Sequence, residues 1–458
     1  MVKERARILV VGGGYVGMYT ALRLQRELKQ ELRRGDVDIT VVTPDPYMTY
    51  QPFLPEAAAG SISPRHVVVP LRRVLDQCHV VVGEVTSIDH AVRTAAVTTL
   101  ATAEEGRTEL IGYDELVLAP GSVSRTLPIP GLAEYGIGFK TVEEAIGLRN
   151  HVIEQMDIAS STRDPAIRDA ALTFVFVGGG YAGVEALAEL EDMARYAARY
   201  YHNVRPEDMK WILVEASDRI LPEVGEEMGR YTVTQLRRRN IQVLLGTRLE
   251  SCTDRVAVLS DGQRFPTRTL VWTAGVKPHP LLAATDLPLT ARGRLKCTAE
   301  LTVDGAPHAW AAGDAASVPD VTAAEPGTET APNAQHALRQ ARVLGSNIAH
   351  ALRGEPLETY AHQYAGSVAS LGLHKGVAQV YGRKLKGYPA WFMHRVYHLS
   401  RVPTFNRKAR VLAEWILAGL FKREIVSLGS LEHPRAEFEL AAGGKPPHSP
   451  SGDPKGSS

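Results

Sequence analysis

Apolar positions along the chain fall into short unbroken runs and longer helical patterns. Residues 8–11 (Ile-Leu-Val-Val) are too few for a helix and rich in β-branched side chains, which predicts a strand. The run ends in Gly12, Gly13, Gly14, Tyr15, Val16 and Gly17, and residues 18–33 then read as a helix. The same order returns later: strand 172–177, then Gly178, Gly179, Gly180, Tyr181, Ala182 and Gly183, then a helix from Val184. One glycine-rich turn says little; strand, GxGxxG and helix in duplicate predict two dinucleotide-binding units. The first glycine of each (Gly12, Gly178) makes the tight turn. The second (Gly14, Gly180) lets a pyrophosphate approach the backbone. The third (Gly17, Gly183) lets the helix pack on the strand, with the helix N-terminus facing the phosphates.

The second strand of each unit separates them. In the later unit residues 211–214 end in Glu215, which suits both hydroxyls of an adenosine ribose and repels a 2′-phosphate, so this unit reads as an NAD(H) site. In the earlier unit residues 38–42 end in Thr43, and Asp45 comes two residues late. Thr43 contacts the ribose weakly, Asp45 bends back to it, or Asp45 simply opens the turn before Pro46. A third signal is the strand ending Ala312, Gly313, Asp314, followed by a helix from about Pro332. A carboxylate after such a strand can hold a ribityl hydroxyl of a flavin, and a helix N-terminus aimed at the pyrimidine ring would stabilise its reduced, negative form.

Together with residues 118–122 (Leu-Ala-Pro-Gly-Ser) and 273–275 (Thr-Ala-Gly), this order resembles the two-dinucleotide-binding flavoprotein superfamily. Residues 50–56 (Tyr-Gln-Pro-Phe-Leu-Pro-Glu), 272–278 (Trp-Thr-Ala-Gly-Val-Lys-Pro), Ala334-Gln335 with Ala337, and the segment 387–425 narrow the resemblance to the type II NADH:quinone oxidoreductases. The resemblance implies an α/β fold of two Rossmann-like domains, the FAD domain (1–140 and 276–366) split around the NAD domain (141–275). A C-terminal amphipathic membrane-docking domain (367–435) follows. It implies noncovalent FAD, NADH as donor and a quinone of the menaquinone or ubiquinone class as acceptor. Glu185 would stand near flavin and nicotinamide, and Gln335 would reach the quinone, with Arg339 and Gln340 as further quinone contacts. Tyr15, Val85, Ala119, Ala274 and Gly275 join the glycines, Thr43, Glu215 and Asp314 as cofactor-binding positions. The sequence departs from the family at Thr43, where an acid is usual, at Pro120, where Thr is common, and at Arg339, which takes the second glutamine position of an AQxAxQ pattern. The alternative is a soluble NADH-dependent flavoprotein reductase of the same superfamily with another acceptor.

Composition adds three points. The chain has 458 residues, 44% apolar and 22% charged, enough for more than one ordinary globular domain. Its three cysteines form no CxxC pair, and no histidine sits in a metal-binding motif, so no dithiol or metal centre is expected. The net charge of +1 hides an asymmetry: residues 375–425 carry 11 Lys/Arg against Glu414 and Glu424, interleaved with aromatic and large aliphatic residues. Such a stretch reads as helices lying in an anionic membrane interface rather than as a nucleic-acid binder, since no nucleic-acid motif accompanies it. No run of 18 apolar residues occurs, so peripheral attachment on the cytoplasmic side is expected, with a homodimer open. Residues 436–458, rich in Gly, Pro and Ser, are expected to be disordered.

Overall fold

A computed structural model of the chain describes residues 5–103, 106–362, 366–372, 374–421, 423 and 425–427. The expected tail at 436–458 and the docking segment beyond 427 lie outside them. Strand β1 (Ala6–Val11) runs into helix α1 (Tyr15–Glu27), and β2 (Val37–Thr43) pairs with β1 in parallel, from Ala6 opposite Val37 to Val11 opposite Val42. These two strands are central to a seven-stranded sheet whose far edge strand, Ala309–Ala311, comes from much later in the chain. The first nucleotide unit is therefore discontinuous. A short helix, α2 (Leu54–Ala58), leaves this unit toward the rest of the molecule.

The chain crosses out through β3 (Ser122–Ser124) into helix α3 (Val142–Ser161), which Thr141 and Glu144 open with a reciprocal capping box. Strand β4 (Thr173–Val177), helix α4 (Tyr181–Ala197) and strand β5 (Lys210–Val214) repeat the first unit's motif. They belong to a five-stranded parallel sheet that also takes Gly136–Ile137, a few residues before the boundary expected at 141. Both strand sets are buried on both faces, which is why they read as unbroken apolar runs. The chain returns through β6 (Val276–Pro278), antiparallel to β3, and then builds helix α5 (Ala334–Arg353), which packs along α1.

The C-terminal unit begins as a sheet. Strand β7 (Gly366–Ser370) leads an antiparallel three-stranded meander with Gly376–Val380 and Arg383–Lys386. Helices α6 (Tyr388–Arg401) and α7 (Phe405–Leu420) follow. The basic stretch thus begins, up to Lys386, as strand rather than interfacial helix. Among the described residues no helix is long and apolar enough to cross a membrane.

Candidate active site between two nucleotide cradles

The glycine turns have matching geometry. Gly12 and Gly178 have φ of +102° and +116°, a region that favours glycine. A side chain at Gly17 or Gly183 would place its Cβ 1.8 Å from the Gly12 carbonyl oxygen or 2.0 Å from that of Gly178. At Gly14 and Gly180 the same Cβ would meet nothing within 4 Å. The second glycine of each turn thus borders open space beside a helix N-terminus, the cradle a pyrophosphate needs. Ala119 closes the first turn, its amide bonded to the Val11 carbonyl at 2.9 Å. Thr273, just before Ala274 and Gly275, closes the second through its hydroxyl to the carbonyls of Val177 and Gly178. Val85 lies three residues past Val82, the partner of Thr43, with its side chain in the core of the first unit.

The acids behave as their positions suggest. Glu215 Oε2 accepts from the Gly179 amide at 2.5 Å, and Oε1 accepts from the amide and hydroxyl of Ser217 at 2.7 Å. The carboxylate is held beside the glycine turn before any nucleotide arrives. Thr43 is buried with its hydroxyl against Gly13, and Asp45 is exposed beyond it. Asp314 is half-buried after the Ala309–Ala311 strand and accepts from the Ser122 hydroxyl at 2.6 Å. The N-terminus of α5, capped by Asn333, packs beside it, with Ala337 touching Gly313. The first cradle, Asp314 and the α5 N-terminus together fit a flavin dinucleotide.

The feature that sequence reasoning missed is a buried polar seam where the C-terminal unit covers α4. Glu185 Oε1 accepts from the Ser370 amide at 2.7 Å, and Glu189 accepts from the Ser370 hydroxyl at 2.9 Å. His394 Nε2 lies 3.2 Å from Glu185 Oε1, with the His394 side chain 2% exposed. His394 meets His398 edge to face, and the His398 Nδ1 is 3.1 Å from the Tyr50 hydroxyl. Burial disfavours charge on His394, yet Glu185, with Glu56 and Glu189 beyond it, holds its pKa above the ordinary value. Burial and the neighbouring His394 push His398 well below its ordinary value, so it stays neutral. Burial, with the charges of Glu56 and Asp192, pushes Glu189 up to about 7. The sequence signal was present: His394 and His398 are one turn apart, on the side of α6 away from exposed Tyr388, Phe392 and Val396.

The expected quinone residues separate. Gln335 donates to the Gly366 carbonyl at 3.0 Å, at the opposite end of β7 from Ser370, and so about 13 Å along the strand from the Glu185 contact. Arg339 is on the same side of α5, one Nη donating to the Gln335 carbonyl at 2.9 Å. Gln340 turns the other way. It is 1% exposed, its oxygen accepts from the Gly313 amide and its nitrogen donates to Thr330. That geometry argues against the expected quinone contact and makes Gln340 a brace for the turn before Asp314.

The basic C-terminal stretch also needs correction. Lys384 and Lys386 pair with Glu227. Arg423 pairs with Asp192. Arg395 is clamped between the rings of Trp391 and Trp415 and reaches Glu56, which also accepts from the Trp415 indole. All four cations are paired with acids of the chain, Lys384 and Lys386 at the surface and Arg395 and Arg423 largely covered, so the net charge available to a partner surface is smaller than the sequence count suggests. The aromatics divide too: Trp391 and Trp415 hold the helices in place, while Tyr388, Phe392, Val396, Phe405, Leu412, Ile416, Leu420 and Phe421 stay exposed.

Two glycine cradles, each on a parallel strand–helix–strand unit, with an acid-ended second strand in one and a carboxylate-and-helix closure in the other, define a two-nucleotide oxidoreductase. The chain belongs to the pyridine nucleotide-disulphide oxidoreductase family, whose pattern it matches over residues 6–341. It has no cysteine pair for disulphide chemistry, and burial pushes the Cys78 and Cys297 thiols up to about 12. It is 28% identical over 436 residues to the type II NADH:quinone oxidoreductase Ndh of Mycobacterium tuberculosis, covering 92% of this chain and 89% of that protein. It is 29% identical over 401 residues to the type II NADH:quinone oxidoreductase of Staphylococcus aureus, covering 86% of this chain and 95% of that protein. The fold is similar to NDH2 from Plasmodium falciparum in complex with NADH, with a TM-score of 0.83 at 17% identity over 92% of this chain and 100% of that one. It is also similar to the sulfide:quinone oxidoreductase of Aquifex aeolicus, with a TM-score of 0.67 at 17% identity over 92% of this chain and 96% of that one.

Proposed function

We propose that the protein oxidises NADH and passes two electrons through a bound FAD to a quinone at a membrane surface. The observation that carries the reading is the difference between the cradles: Glu215 is already fixed at the NAD turn, whereas the other turn lacks an acid and is completed by Asp314 and the α5 N-terminus. The names of the curated relatives support the same reaction. FAD, when bound, supplies the two-electron chemistry between donor and acceptor.

The protein's own groups do the rest. Glu215 accepts from the adenosine ribose and disfavours a 2′-phosphate. Gly178, Gly180 and Gly183 bring the NADH pyrophosphate to the α4 N-terminus, which places Glu185, in the next turn, toward the nicotinamide end. Gly12, Gly13, Gly14, Tyr15 and Gly17 do the same for FAD. The Glu185–His394 pair holds a proton at imidazole nitrogen in a region closed to water. Gln335 and Arg339 present an amide and a guanidinium on one side of α5, the polar edge we assign to the quinone head. The exposed apolar residues of α6 and α7, with Arg401, Lys408 and Arg410 nearby, rest on an anionic leaflet; we place this on the cytoplasmic side, as a monomer or a homodimer.

Steady-state assays of purified protein test this. A yellow protein that turns over NADH with soluble quinones much faster than with oxygen is expected. Quinone rates no higher than oxygen rates would move the protein to the soluble reductases. Sedimentation with anionic but not neutral vesicles would support the surface assignment, and equal binding to both would remove its electrostatic part.

A further inference from the structure

One polar contact ties three distant stretches of chain together. Ser122 stands in β3, opposite Pro278 of β6, at the pair of strands through which the chain leaves and re-enters the first nucleotide unit. Lys140 immediately precedes the Thr141 cap of α3, and the Glu144 carboxylate fixes its backbone by accepting from the amides of Lys140 and Thr141. The Lys140 ammonium then reaches across and donates to both the carbonyl and the hydroxyl of Ser122, the latter at 2.7 Å. The Ser122 hydroxyl donates in turn to Asp314 Oδ2 at 2.6 Å. Asp314 Oδ1 accepts no bond from the described residues.

The order of donors gives this chain a direction. An ammonium can only donate, so the Ser122 oxygen accepts from it, and the single hydroxyl proton must then point at the carboxylate. One carboxylate oxygen is held back and the other left free. Burial works against the Lys140 charge, and Asp314 and Glu144 oppose that loss, so the cation sits where it offsets the carboxylate. A loose, uncompensated Asp314 would do two things badly: its free oxygen would have no fixed aim, and its charge would repel a pyrophosphate-bearing ligand.

We propose that Lys140 is a positioning residue for the flavin: acting through Ser122, it aims and neutralises Asp314 so that the free oxygen takes a ribityl hydroxyl. The inference rests on the flavin reading given above. Because β3 and α3 belong to the crossing between the two units, it also makes flavin retention depend on the geometry of that crossing.

The test uses the flavin-loaded protein and its Lys140→Met, Lys140→Arg, Ser122→Ala and doubly substituted (Lys140→Met with Ser122→Ala) forms. Release of FAD on dilution is followed by its fluorescence. Met and Ala variants should release FAD about tenfold faster or more, the double variant no faster than the worse single, and the Arg variant within about threefold of wild type. Melting temperature is then read on flavin-stripped protein and in hundredfold excess FAD. A positioning role predicts stripped variants that melt with stripped wild type and a deficit that appears only with FAD, because bound ligand stabilises the folded state by an amount set by its affinity. A deficit of the same size in stripped and FAD-loaded protein, or additive effects in the double variant, would make the contact merely structural and overturn the proposal. If Lys140→Met does not fold, Ser122→Ala alone is read by the same criteria. Wild-type protein that keeps flavin beside variants that keep it equally well overturns only the role of Lys140; wild-type protein that binds no flavin overturns the functional reading itself.

Discussion

Helices α1 and α4 open from the same glycine turn and then face different neighbours. Along the repeat, Glu185 stands where the first copy has Tyr19, and Glu189 where it has Arg23. The α1 face is covered by α5 at close range. Thr20 donates to the Ala341 carbonyl, Arg23 to Ser346, and Gly345 has no room for a Cβ because one would lie 2.6 Å from that of Arg23. The α4 face is covered by β7 and α6, with two carboxylates, a serine and a histidine buried between them. The glycine motif thus fixes where a nucleotide lies, while the helix face behind it is free to be built for another purpose. In the first copy that purpose is packing. In the second it is a buried acid–base seam beside the proposed nicotinamide end.

The sharpest break in the comparison separates glycines that hold the turn from those that border the ligand. Gly17→Ala and Gly183→Ala force a Cβ onto a carbonyl oxygen, and each should destabilise the protein by about 1–3 kcal/mol and abolish binding at its own turn. Gly14→Ala and Gly180→Ala meet no protein atom, so thermal melts should stay near wild type while FAD retention and the KM for NADH, respectively, deteriorate. Next in size is Glu215→Ala. Losing charge-assisted bonds of about 1.5–3 kcal/mol should lower kcat/KM for NADH by roughly tenfold or more. The NADPH value should rise as the repulsion of its 2′-phosphate is lifted, so donor preference collapses. Thr43→Ala should barely alter flavin content; a large loss there would show that the two second strands do equivalent work.

Smaller effects test the covered faces. Gln335→Ala removes an amide already engaged with Gly366, so in stopped flow flavin reduction by NADH should be unchanged. Reoxidation by quinone should slow only about threefold to tenfold, the worth of one ordinary hydrogen bond. The least effect concerns Glu189. Its carboxyl, raised from 4.5 to about 7 by burial and by Glu56 and Asp192, holds its proton in the folded state over a pH range where the unfolded chain has released it. The wild type therefore loses stability as pH climbs from about 4.5 to 7. Glu189→Gln escapes that loss, so its melting temperature relative to wild type should rise between pH 5 and pH 8; a constant difference would mean that Glu189 is ionised throughout.

What could be read in advance follows the range of the interactions. Gly12, Gly17, Gly178 and Gly183 were legible because a positive φ or a helix-on-strand contact is decided within a few residues. Glu215 was legible because its strand ends where the motif says it should. The role of Gln340 was not, because spacing shows that Gln335 and Gln340 differ in direction on a helix but not which side meets Gly313. His394 carried no functional signal of its own, since its partner Glu185 lies in another unit far earlier in the chain and no local pattern links the two. The C-terminal charge was counted correctly and interpreted too simply: Lys384, Lys386, Arg395 and Arg423 find acids supplied by other parts of the fold, and a sum of charges cannot show that.

The acids on α4 also govern how the molecule breathes. A cover held by apolar contact alone gains nothing from water when it lifts. Here Glu185, Glu189 and His394 recover hydration as soon as β7 and α6 move off, which offsets part of the packing lost. The segment from β7 to α7 is therefore expected to open more readily than the two nucleotide sheets, as a foldon of its own. In native-state hydrogen exchange its amides would report one shared protection factor, below that of β1, β2, β4 and β5. A protein so divided can loosen its C-terminal unit without unravelling the sheets that carry its two glycine cradles.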